Sequence, residues 1–237
     1  MLITLLNALP IQGAVAILIL MVLPASAQQT IFNVPSAEGA GHGQWFYQHQ
    51  STARAWDPGR RWVQTNAFGF GVGHSLELDT TWFNLDPTDV AASAASVGFK
   101  WSPRLNAEDS LVPLRLAVGD LVEFHGPTPH VGNWAYLMLN AELLRDRTFL
   151  AGGLSTGTQV LFGERRTTAA MASIEHWLTK RWLVQADWIS GTHDLAYVIP
   201  GVVYRASPHW MVSLGYQIPN RHSHGATAIV FELTRVP

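Results

Sequence analysis

The segment Trp182-Leu183-Val184-Gln185-Ala186-Asp187-Trp188 decides the fold. Its even-numbered residues are apolar, with Trp at both ends, while its odd-numbered residues include Gln and Asp. A helix would scatter these two sets, whereas a strand keeps each on one face. Period two with aromatic ends is the pattern of a strand crossing a bilayer between two interfacial girdles. Trp210-Met211-Val212-Ser213-Leu214-Gly215-Tyr216-Gln217 repeats it, and in Leu76-Glu77-Leu78-Asp79-Thr80-Thr81-Trp82 the residues Glu77, Asp79 and Thr81 share one face.

Less regular copies fill the chain around these segments. Trp45 and Tyr47 alternate with Gln44 and Gln48. Phe68, Phe70 and Val72 alternate with Gly69, Gly71 and Gly73, and Val97, Phe99 and Trp101 with Ser96, Gly98 and Lys100. Leu114, Leu116 and Val118 follow Pro113, which belongs at a strand start. Residues 131–143, 147–158, 166–177 and 194–205 are strand-like but apolar on both faces, and Pro200 requires a break in its ladder. About twelve strands result on this alternation. Connections near 73–75, 144–147, 178–181 and 205–208 are short, and those on the opposite side are mostly longer, as in membrane barrels with short periplasmic turns. The stretch 102–110 is long on the short side, which makes ten strands the alternative count.

Composition agrees. Only 14% of residues are charged against 48% apolar, with ten Trp and ten Phe, whereas a soluble domain carries about 25% charged residues. No stretch within 28–237 offers the run of about 18 apolar residues that a helical span needs. Only helices and closed barrels satisfy every backbone group in lipid. The net charge of −2 gives no footprint for nucleic acid, and the absence of Cys excludes disulfides and thiolate metal sites. At the start, the apolar run Gly13–Leu23 followed by Pro24-Ala25-Ser26-Ala27 reads as a signal peptide over 1–27, cleaved after Ala27, with the barrel over 28–237.

With the signal ending Ala25-Ser26-Ala27, the mature start Ile31-Phe32-Asn33-Val34-Pro35-Ser36 and a last strand alternating Thr227, Ile229, Phe231 and Leu233, the chain resembles the proteobacterial outer-membrane β-barrels of the small porin-like and transporter class. The resemblance implies an all-β fold, a single closed antiparallel transmembrane barrel in the bacterial outer membrane. It also implies outer-membrane lipid, small solutes or ions, and the barrel-assembly machinery as partners. In that class the last strand ends on an aromatic residue; here Phe231 stands in for it.

An apolar face toward lipid sends the other face of each strand into the lumen. That places Glu77, Asp79, Lys100, Arg115, Glu142, Glu175, Asp187 and Glu232 inside. Ionisable residues at membrane depth must face water or one another, so they are the candidates for a conducting path. Passive porin-like transport is the leading reading, and a lumen plugged by paired charges, in a structural or adhesive protein, is its plain competitor. A barrel-embedded lipid-modifying hydrolase is the other alternative. The adjacent pairs His74-Ser75 and His222-Ser223-His224 suit it poorly, because neighbours on a strand point to opposite faces. Finally, barrel closure draws His49 toward the connection carrying His222 and His224, a candidate Zn²⁺ or Cu²⁺ site at the outer mouth, with ordinary loop histidines as the plain alternative.

Overall fold

A computed structural model of the chain describes residues 32–56, 62–83, 93–107, 109–125, 130–144, 147–163, 167–193, 195–221 and 226–237. The expected signal peptide lies outside them. Twelve strands follow in order: β1 (Trp45–Ala53), β2 (Trp62–Gly73), β3 (Leu76–Phe83), β4 (Ala94–Trp101), β5 (Leu114–His125), β6 (Val131–Leu143), β7 (Thr148–Gly157), β8 (Thr168–Trp177), β9 (Trp182–Ile189), β10 (Tyr197–Ser207), β11 (Trp210–Pro219) and β12 (Ala228–Arg235). A single helical turn, α1 (Gln159–Phe162), sits between β7 and β8. Each strand pairs antiparallel with its sequence neighbours, and β1 closes the barrel on β12. Closure removes every free sheet edge, which lipid would not tolerate.

The period-two reading sets the faces. In β9, Trp182 and Trp188 are exposed while Leu183, Gln185 and Asp187 are buried; in β11, Leu214 and Tyr216 are exposed while Met211, Ser213 and Gln217 are buried. The segments apolar on both faces also settle: in β6, Tyr136 and Met138 point inward, Leu137 and Leu139 outward. Exposed Trp45, Trp101, Trp182 and Trp210 gather at the strand ends joined by short turns, and Trp62, Trp82 and Trp188 at the other end. These are the two interfacial girdles, and the apolar band between them fixes the barrel in a bilayer. The long connection 102–110 is not a lost hairpin. Leu105 N donates to Leu114 O and Leu116 N to Pro103 O, so it runs back along β5, which excludes the ten-strand count. At Pro200 the ladder to β9 continues, but the pairing with β11 skips from Val198 to Gly201.

Candidate functional site

The interior is occupied by the chain's own segment 32–40, which lies inside the barrel and is joined to β1 through the exposed residues 41–44. Phe32, Val34, Ala37 and Ala40 are all buried. Two anchors hold its backbone. Asp187 on β9 accepts with one oxygen, Oδ2, from the N–H groups of Phe32 (3.2 Å), Asn33 (2.6 Å) and Val34 (2.9 Å). Nearer the short-turn end, Glu77 Oε2 accepts from Ala40 N (2.5 Å), and Lys100 Nζ bridges Glu77 Oε1 (2.9 Å) and the Glu38 carbonyl (2.6 Å). A carboxylate taken out of water needs this kind of complete solvation by donors.

Glycines make the room. A Cβ on Gly71 would stand 2.1 Å from Gly41 O and 2.2 Å from Ala40 O, so only glycine lets the segment pass that close to β2. The Phe32 ring likewise rests on Gly201 and Gly215, where a Cβ would meet it at 2.5 and 2.7 Å. At the far end, α1 folds over the mouth: Phe162 is fully buried, joins Val34, Tyr136 and Met138 in one cluster, and meets the His193 ring edge-on at 4.5 Å.

The eight residues expected in the lumen all belong to inward-facing positions, but they divide into groups. Glu77 and Lys100 form the anchor just described, with Asp79 buried one inward position further along β3. Asp187 is the second anchor. Glu232 accepts from Gln48 Nε2 at 3.0 Å, across the β1–β12 closure. Arg115, Glu142 and Glu175 line a cavity of about 80 Å³ between the inserted segment and the β5–β8 wall, shared with Glu38, Asn140 and Ser173.

His49 is placed differently from the expected metal cluster. It faces away from the lumen, with Nδ1 2.9 Å from Asn66 Oδ1 and Nε2 2.9 Å from Ser51 Oγ. Tyr47 Oη donates to the same Asn66 oxygen at 2.8 Å. His222 and His224 lie outside the described residues, and among those described no three His, Asp or Glu side chains gather as a metal site would require. His74 and Ser75 occupy the β2–β3 turn, both with positive φ. The outward set Ser51, His49 and Asn66 has a signal in the sequence that adjacent pairs lack: His49 and Ser51 are two residues apart and therefore share a face. The inserted segment had a weaker signal, its apolar residues Phe32 and Val34 standing ahead of the first strand without a partner strand of their own.

No protein-family model matches the chain, and no curated protein does. Solved structures do. A KdgM porin in complex with disordered oligogalacturonate superposes with a TM-score of 0.56 at 12% identity, over 81% of this chain and 97% of that one. The NanC porin gives 0.52 at 7% identity, over 81% and 99%. The outer membrane phospholipase A of Escherichia coli gives 0.47 at 11% identity, over 82% and 90%, a likeness too loose to bear on chemistry. Closure and the likeness to the KdgM and NanC porins agree on one architecture: the chain folds as a closed twelve-stranded antiparallel β-barrel.

Proposed function

We propose that the protein is an outer-membrane channel for passive passage of small solutes or ions, closed here by its own segment 32–40. The observation that carries this is the way the segment is held. It is not part of the wall, it leads into the wall at β1, and polar contacts to Asp187, Glu77 and Lys100 fix its backbone. Such contacts are exchangeable for water. With the segment withdrawn, Gln48, Glu77, Asp79, Gln185, Ser213 and Glu232 would line a continuous polar path, which is what an aqueous channel needs. The porin names of two solved neighbours support the same reading. Acidic side chains outnumber basic ones on the inner wall, Glu77, Asp79, Glu123, Glu142, Glu175, Asp187 and Glu232 against Lys100, Arg115 and Arg205, so the open path favours cations.

Planar-bilayer recording of the wild type beside a variant lacking residues 32–40 tests the proposal. The wild type should open rarely, and the deletion should conduct steadily with weak cation preference. A deletion variant that keeps the heat-modifiable gel migration of a folded barrel yet passes no current would make the segment a permanent core element and end the channel reading.

A further inference from the structure

Polar side chains on the lipid face of a barrel have no water to bond, so a hydrogen-bonded group of four there needs a reason. Equivalent rows elsewhere carry exposed Leu78, Leu137 and Leu214. On β1 and β2 the outward row instead carries Tyr47, His49 and Ser51, with Asn66 directly opposite His49 and Gln64 directly opposite Ser51. Of the other outward polar pairs, Asp120 with Asn133 holds no hydroxyl nucleophile, and Thr148 with His176, Oγ1 2.8 Å from Nδ1, lies at the opposite, short-turn end of the barrel.

The bonds are ordered. Asn66 Oδ1 is only an acceptor, so His49 must give it the Nδ1 hydrogen; Nε2 then holds the lone pair, and it faces Ser51 Oγ at 2.9 Å. This is a nucleophile within reach of a base whose tautomer is fixed by a third group. Tyr47 fixes that third group in turn. The depth also fits. Ser51 lies two residues inside Ala53, the strand's outer end, whose cross-strand partner is the girdle residue Trp62. That is about 7 Å below the girdle at the usual strand rise, the level at which acyl chains join their headgroups. Beside Ser51 the exposed Phe231 offers apolar surface, with Leu233 beside His49 leading toward the bilayer centre.

We propose that Ser51, His49 and Asn66 form a serine-hydrolase site open to the outer leaflet, acting on the carboxylic esters of membrane lipids. Ser51 Oγ bonds to the acyl carbon and its proton passes to His49 Nε2. The ester C–O bond breaks, and the leaving alcohol takes that proton. Water, giving its own proton to Nε2, then attacks the acyl-serine; fatty acid leaves and Ser51 recovers its hydrogen, so ester and water yield acid and alcohol. Ser51 and His49 are the catalytic residues, and Asn66 and Tyr47 position them. The Gln64 amide, exposed on the neighbouring strand, is the donor placed for the oxyanion. Ser51 is 7% exposed, so a neighbouring side chain has to turn aside to admit an ester.

The test uses the purified full-length protein, refolded in detergent and mixed with dioleoyl phosphatidylethanolamine micelles, with released oleate measured by mass spectrometry. The wild type should release oleate and Ser51→Ala should not. His49→Ala should lose activity by about 10²–10⁴-fold, the usual worth of a general base. Asn66→Ala should fall too, and Asn66→Asp should recover, because a carboxylate orients the same Nδ1 hydrogen; a purely structural role would show no such rescue. A fluorophosphonate should label Ser51 and no other serine. Oleate release no greater than that of Ser51→Ala, labelling elsewhere, or Asn66→Asp no better than Asn66→Ala, each with heat-modifiable migration retained, would overturn the site. The channel proposal stands apart, since Ser51→Ala should leave bilayer conductance unchanged.

Discussion

Replacing Asp187 by Asn is the sharpest test of how the inserted segment is held. One carboxylate oxygen accepts all three N–H groups of Phe32, Asn33 and Val34, so an amide oxygen of the same shape can stand in its place, without the charge. Hydrogen bonds to a charged acceptor are worth about 1.5–3 kcal/mol each, against about 0.5–1.5 for neutral ones. Three such differences of roughly 1 kcal/mol weaken the hold on the segment by about 3 kcal/mol, on the order of 100-fold in the ratio of released to seated chain. Asp187→Ala should release it further, because it leaves three buried N–H groups without an acceptor. Cysteine chemistry reads the equilibrium directly. The chain has no Cys, and Ser36 sits in the segment at 7% exposure, so Ser36→Cys supplies a single reporter. Its maleimide labelling in the Asp187→Asn background should be about 100-fold faster than with Asp187 intact, if seating is rapid compared with labelling, and bilayer open time should rise alongside it. A smaller cation preference is a secondary effect of the same substitution on the opened path. Labelling unchanged in both Asp187 variants would mean that apolar packing of Phe32 and Val34 holds the segment and that the three hydrogen bonds are incidental.

Gly71→Ala attacks the other end of the same segment: its Cβ would meet two backbone carbonyls near 2 Å, so the segment must shift, and Ser36→Cys should label faster although Asp187 is untouched. Equal labelling with and without the methyl group would show that the wall yields instead. Leu214→Arg, on the lipid face, should weaken barrel stability in lipid vesicles by about 2–4 kcal/mol near the midplane, as measured by denaturant titration; no loss would mean that the outward face of β11 does not meet lipid.

Much of this barrel could be read from alternation because the physics that fixes it is local to each strand. Trp182 to Trp188 states which face meets lipid, and the register then follows, since a slip by one residue would turn every side chain over. Inward residues were therefore found with their faces correct. Their partners were not, because what Asp187 binds is the backbone of residues 153 to 155 positions away, and backbone N–H groups carry no side-chain signature. The lumen was expected to hold either water or opposed charges. It holds a segment of main chain, for which carboxylates serve as acceptors and Gly71, Gly201 and Gly215 serve as clearance; read alone, glycines on an inner face say only that something small is needed there.

The outward site shows the reverse case, in which the signal was present and a different spacing drew attention. Adjacent His and Ser invite the idea of a dyad, yet on a strand adjacency separates the two side chains, and His74-Ser75 proves to be a turn. His49-Gln50-Ser51 carries the spacing a strand requires, with Gln50 directed inward between them, and the hairpin register brings Asn66 opposite His49. That last step depends on the β1–β2 register, which the connection between Ala53 and Trp62 leaves open in sequence: shifting the pairing by two residues would keep every face as it is but would set Gln64 or Phe68, in place of Asn66, against the imidazole. Gln64 could orient His49 after a fashion and Phe68 could not, so the assignment of a hydrolase site depends on a pairing between strands, and the alternation that identifies the barrel does not contain it.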